Sequence, residues 1–221
     1  MMDERTLTAA PKGQRRARTR AALLAAGHRL LVERSMPEVT IDDIVQAAGV
    51  AKGSFYNHFP DKEAFARCIR DDVRSELEEV IGGANAGIED SAMRVARGFA
   101  VYLDYILAAE DRAVVLYRIQ TGVAATDNPL NQGLRRDISE GLRAGRFVVP
   151  SVDAGVLFVV GVAQITLMRA IEEPGGAGMI PVAQQLCALM LRGLGLPLHE
   201  AESVSAVALH DLVVPKRAAG G

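Results

Sequence analysis

Apolar residues recur along this chain at intervals of three and four, the spacing that lines one face of an α-helix. Leu23, Leu24, Gly27, Leu30 and Leu31 form the first such face, opposite Arg18, Arg29 and Glu33, in a helix that begins near Arg15. Ser35-Met36-Pro37 ends it, because the residue before a proline avoids the helical region. Thr40-Ile41-Asp42-Asp43 opens a short helix that stops at Gly49. Thr40 suits the cap, and the two aspartates suit the positive end of the helix dipole. A second short helix is predicted from Ala51 to about Phe59, after which Pro60-Asp61 breaks and recaps the chain. From Lys62 onward, Phe65, Ile69, Val73, Leu77 and Ile81 recur every four positions. They define one amphipathic helix with a predicted end at Gly82-Gly83.

Further helices are predicted near 88–109, 112–122, 129–145, 151–173, 179–194 and 197–212. Asn128-Pro129, Pro174-Gly175-Gly176 and Gly195-Leu196-Pro197 punctuate them. No stretch sustains the period-two alternation of a strand; Phe147-Val148-Val149 comes nearest, and Pro150 ends it at once. The pattern is that of an all-α protein of nine to ten helices. The helix over 151–173 is apolar nearly all round and must be covered on more than one side. The helix over 179–194 carries Val182, Leu186, Leu189, Met190, Leu191 and Leu194. Together they predict a homodimer built from these two helices of each subunit, a single large monomer core being the other solution. The apolar run Ala154–Met168 falls short of the roughly 20 residues of a membrane span, and the first residues lack the apolar core of a secretory leader. A cytoplasmic protein with no membrane role is expected.

Composition narrows this reading. A length of 221 residues allows one or two domains. Hydrophobic residues make up 49% and charged residues 24%, which excludes a disordered chain or a fibrous repeat. Aromatics are 5% and Trp is absent, so Ala, Val and Leu must do the packing. The net charge of −2 argues against a globally basic nucleic-acid binder, but the charge is uneven. Between Arg5 and Leu31 there are seven basic residues and no acidic one. Residues 1–60 carry a net +3 and residues 61–221 a net −5, an asymmetry that points to nucleic acid or a membrane surface. Cys68 and Cys187 lie far apart in apolar helical contexts and read as reduced core thiols.

The chemistry-bearing segment is Thr40–Phe65, TIDDIVQAAGVAKGSFYNHFPDKEAF. A short helix, a tight turn of small residues with a glycine and a second short helix have the spacing of a helix-turn-helix. The second helix of such a unit enters the major groove. Lys52 offers a cation, Gly53 a close backbone approach and Ser54 a hydroxyl. Tyr56, His58 and Lys62 suit phosphate oxygens, and Thr40 caps the first helix towards the same surface. Phe55 and Phe59 point inward as anchors. Arg15, Arg16, Arg18 and Arg20 fit a phosphate clamp and a solvated arm equally well.

This segment resembles the N-terminal domain of TetR-type (tetracycline-repressor-like) transcriptional regulators. The resemblance rests on Thr40, Ala48-Gly49-Val50, Lys52-Gly53, Tyr56-Asn57-His58-Phe59 and Lys62-Glu63-Ala64-Phe65, in that order. It covers roughly residues 15–80. Ala51 stands where the family often has Ser, and Asp61 puts a negative charge beside the expected phosphate site. The resemblance implies a DNA-binding domain over 1–82, with 1–14 a mobile arm, and a ligand-binding and dimerisation domain over 83–221. It implies a homodimer on a pseudo-palindromic double-stranded operator, released by a small apolar ligand. The ligand would sit among helices carrying Phe99, Tyr102, Leu103, Ile106, Tyr117, Gln120, Phe158, Gln164 and Met168. Gln120 and Gln164 stand out, because a buried amide needs a partner. No GxSxG, HExxH, P-loop or GxGxxG is present, and the four histidines are scattered, so no enzyme, cofactor or metal site is expected. The alternatives are a small-molecule-binding or protein-interaction module with a degenerate DNA-binding domain and, more remotely, an all-α enzyme.

Overall fold

The computed structural model describes residues 12–119, 131–173 and 178–213. Among them are ten α-helices, one short 3-10 helix and no strand. The chain divides into two compact units, Met1–Arg70 and Asp71–Gly221.

The first unit contains α1 (Lys12–Glu33), the 3-10 turn Met36–Glu38, α2 (Ile41–Ala48), α3 (Lys52–Tyr56) and the start of α4 (Lys62–Ala84). The helical face read from the sequence is its core: Leu23, Leu31, Ile44, Phe55, Phe65 and Ile69 are fully buried. Gly27 lets α1 lie directly on α4, since a Cβ there would sit 2.5 Å from Ile69 Cδ1 and 2.6 Å from the Phe65 ring. Helix α1 begins at Lys12, so the last residues assigned to an arm are helical, while residues 1–11 lie outside the described residues.

Helix α4 does not stop at Gly82-Gly83 but runs through both to Ala84. Both positions are exposed, and glycine in a helix interior costs only about 1 kcal/mol relative to alanine. The left-handed conformation comes later, at Gly87 with φ 76°. The division into compact units falls within the residues of α4, after Arg70.

In the second unit α5 (Ser91–Ala108) is the central helix and packs against α6 (Glu110–Arg118), α7 (Gln132–Arg143), α8 (Val152–Glu172), α9 (Met179–Gly193) and α10 (Leu198–Leu212). Arg146 ties the turn after α7 to two helix starts: it donates to both oxygens of the α5 cap Asp90, at 2.8 and 3.0 Å, and pairs with Glu200 at 2.7 Å. The Phe147-Val148-Val149 run is no strand: the Phe147 ring is buried, and Val148 N–H donates to the Leu194 carbonyl at 2.8 Å.

Helix α8 is covered only in part. Val156, Val159 and Leu167 are buried, but Leu157, Phe158, Ile165 and Met168 are 40–53% exposed. Leu189 on α9 is 55% exposed. By length and apolar character α8 could cross a membrane.

Candidate nucleic-acid interface and internal cavity

Local chemistry fixes the helix-turn-helix. The Thr40 hydroxyl accepts from Asp43 N–H at 3.1 Å, and the Asp43 carboxylate accepts from Thr40 N–H at 2.9 Å, a reciprocal cap at the start of α2. These bonds, with Arg34 close by, hold the Asp43 carboxyl below its usual range. Gly49 ends α2 in the left-handed region at φ 66°, which favours glycine at the turn. Arg29 on α1 donates to the Ala47 carbonyl at 2.9 Å and so satisfies the end of α2. Phe55, Phe59 and Phe65 form a ring cluster with centroids 5.0–5.5 Å apart, and this cluster anchors α3 from beneath.

With its buried side held, α3 turns Lys52, Gly53 and Tyr56 outward, and Asn57 beyond its end is also exposed. Ser54 and His58 are half-buried. These two, with Asn57, share a shallow surface with Arg15, Arg16 and Thr19 of α1. Arg16 reaches the Asn57 carbonyl at 3.4 Å. The arginines at the start of α1 are thus brought beside α3. Thr19 belongs to neither the apolar pattern nor the charge run, and Asn57 enters the sequence reading only as part of the Tyr56–Phe59 motif. Burial first, then the nearby Arg16 and Arg20, pushes the His58 pKa down. Lys52 pairs with Asp42 at 2.8 Å, an exposed ion pair that a phosphate could replace.

Lys62 departs from its expected role. Its ammonium donates to the carbonyls of Met36, Pro37 and Val39 at 3.2, 3.2 and 2.9 Å. These contacts occupy the donors of the ammonium and close the 3-10 turn onto α4, a bracing role that the sequence reading did not anticipate. Asp61, the negative charge beside the expected phosphate site, caps α4 by accepting from Ala64 N–H at 2.6 Å.

The second unit holds a cavity of about 150 Å³. Leu77 and Ile81 of α4, Val95 and Phe99 of α5, Leu116 of α6, and Val159 and Leu167 of α8 supply apolar wall. Arg74, Glu78, Arg94, Tyr102, Asp137 and Gln164 add polar groups. Arg94 pairs with Asp137 at 2.6 Å and also with Glu140. Burial, with Asp137 nearby, pushes the Glu78 carboxyl up to about 7. Burial raises the Tyr102 phenol well above its usual value. The Tyr102 hydroxyl and the Gln164 Oε1 are buried with no hydrogen-bond partner among the described residues.

Of the expected ligand residues, Phe99, Tyr102 and Gln164 line this cavity. Leu103 and Ile106 do not: they are core residues, 0% and 2% exposed, further along α5 than the stretch that lines the cavity. Tyr117 is 47% exposed on α6, and Phe158 and Met168 lie on the open side of α8. Helical periodicity alone does not say which side of an all-apolar helix faces inward. Gln120 lies outside the described residues. Glu78 and Arg74 were missed because charges on the long α4 read as a solvated face. Their position one turn apart, beside Leu77 and Ile81, was the available signal. Among the described residues no group of three His, Cys, Asp or Glu is placed to hold a metal.

A short capped helix, a left-handed glycine turn and a second helix exposed over a buried ring cluster form a helix-turn-helix unit. Residues 23–68 match the family model for bacterial regulatory proteins of the tetR family. It is 29% identical over 103 residues to the HTH-type transcriptional regulator EthR of Mycolicibacterium smegmatis, covering 44% of this chain and 48% of that one. It is 34% identical over 92 residues to the HTH-type transcriptional repressor DhaR of a Mycobacterium species, covering 42% and 45%. The chain thus spans about half the length of these relatives. Among solved structures, a tetR-family regulator of Shewanella sp. PV-4 shares the fold with a TM-score of 0.72 at 16% identity, over 81% of this chain and 99% of that one.

Proposed function

We propose that this protein is a transcriptional repressor that binds a pseudo-palindromic duplex as a homodimer and is released by a small ligand. The observation that carries the reading is the joint surface of α1 and α3. Lys52, Gly53, Ser54, Tyr56, Asn57 and His58 face outward from the recognition helix and its end, with Arg15, Arg16 and Thr19 beside them. Arg15, Arg16 and Lys52 supply charge to phosphates and fix position. Ser54 and His58 offer hydrogen bonds suited to base edges or to directed phosphate contacts. Thr40 sits at the α2 start on the exposed side.

The dimer reading rests on the open apolar side of α8 with Leu189 of α9. A second copy covering Leu157, Phe158, Ile165 and Met168 accounts for an apolar helix embedded on its other side in a folded core. That embedding favours a subunit interface over a membrane and fits a soluble, cytoplasmic protein. Release follows from α4, which carries Phe65 and Ile69 under the recognition unit and Leu77, Glu78 and Ile81 on the cavity wall. A ligand that favours one placement of α4 shifts the spacing of the two recognition helices, and half-sites one turn apart, about 34–36 Å, tolerate little change.

Fluorescence anisotropy with duplexes from the DNA flanking its own gene, measured across salt concentrations, tests this. Sequence-preferring binding with a steep salt dependence is expected. Equal affinity for random duplex would overturn the reading.

A further inference from the structure

We propose that the cavity of the second unit binds a neutral, single-ring hydroxylated aromatic compound, a phenol or a benzenediol; this rests on the reading of that cavity as the effector site. Size comes first. The cavity is about 150 Å³. An engineered apolar cavity of that volume takes up benzene, whereas pockets for drug-sized ligands run to roughly 300–1,000 Å³. One ring fills it, and a long acyl chain or a cofactor-sized molecule does not.

The walls suit a ring. Leu77, Ile81, Val95 and Val159 present aliphatic surface, and Phe99 adds an aromatic partner. The two buried groups without partners, Tyr102 OH and Gln164 Oε1, line this same space. Each is costly as it stands, and Phe or Leu of similar size would remove the cost. Ligand hydroxyls answer them, because a hydroxyl can donate to the Gln164 carbonyl and a hydroxyl can accept from the Tyr102 phenol. A hydroxyl also serves if the amide is turned the other way and presents its NH2. An unsubstituted ring would leave both groups unsatisfied.

Charge gives an ion no preference. Glu78 and Asp137 line the cavity together with Arg74 and Arg94, and Asp137 is already paired with Arg94. The two signs balance in number, so neither a carboxylate nor an ammonium finds an excess of opposite charge, and a neutral donor and acceptor needs none.

The test is calorimetric titration of the full chain with phenol, resorcinol, benzene, benzoate and decanoate, without DNA. Phenol or resorcinol is expected to bind at least about tenfold more tightly than benzene. In the double variant Tyr102→Phe/Gln164→Leu that preference should fall to within about twofold, with benzene binding retained. Ala163→Phe, which puts a ring into the space, should abolish binding of every ring; if it fails to fold, the double variant still decides. Equal affinity for benzene and phenol, tighter binding of benzoate or decanoate, or an undiminished preference in the double variant would each overturn the proposal. Anisotropy on operator DNA is the separate arm. Ring binding without DNA release keeps the ligand class and sinks the regulator reading; DNA binding with no ring binding does the reverse.

Discussion

Glu78 gives the sharpest stability prediction, because its environment sets both sign and size. In the unfolded chain its carboxyl titrates at its ordinary 4.5; in the folded protein burial and Asp137 push it up to about 7. Between those values the folded state holds a proton that the unfolded state has released. Stability from this site is therefore full below 4.5 and lost as pH rises through 7. At about 1.4 kcal/mol for each tenfold change in proton affinity, the ceiling is about 3 kcal/mol. The group is half-buried and water screens the field, so about 1–2 kcal/mol is expected. Glu78→Gln keeps the shape and removes the titration. Urea denaturation at fixed protein concentration, at pH 5, 6, 7 and 8, should show the variant nearly equal to the parent at pH 5. At pH 8 it should be more stable by that amount. A difference that is the same at every pH, or that favours the parent at pH 8, would refute the assignment of a buried, proton-holding Glu78.

Other residues give further tests. Lys62→Met should lower the unfolding free energy by about 1–3 kcal/mol through the three released carbonyls, yet leave the salt dependence of DNA binding unchanged. Arg16→Ala should instead lower that salt slope by about 1 while the melting temperature holds; the opposite pattern would exchange their roles. Gly27→Ala should cost about 1–3 kcal/mol by overpacking against Phe65 and Ile69, readable as a drop in thermal midpoint. Ile165→Glu should give a folded monomer in light scattering; a dimer of unchanged affinity would move the interface off α8.

Much of this protein is legible in its order of residues. Thr40 with Asp43, Gly49 and the buried Phe55 and Phe59 specify the helix-turn-helix through caps, a left-handed turn and inward rings, all set within a few residues of chain. Apolar spacing likewise marks where the helices lie, since an amphipathic face is a local property. What spacing leaves open is orientation and partnership across long separations. Lys62 reads as a free cation until the fold brings three carbonyls from some 25 residues away onto its ammonium. Phe158 and Gln164 stand on one apolar helix, and only packing sends the first outward and the second into the cavity. Glu78 looks solvated in the sequence, and its proton affinity is set by α5, α7 and α8 closing over it. The sequence by itself determined most of the helices and the turn between α2 and α3, because hydrogen bonds and dihedral preferences between neighbours decide those. Tertiary structure alone decided which groups are buried, paired or left facing an empty cavity, because desolvation depends on residues far along the chain.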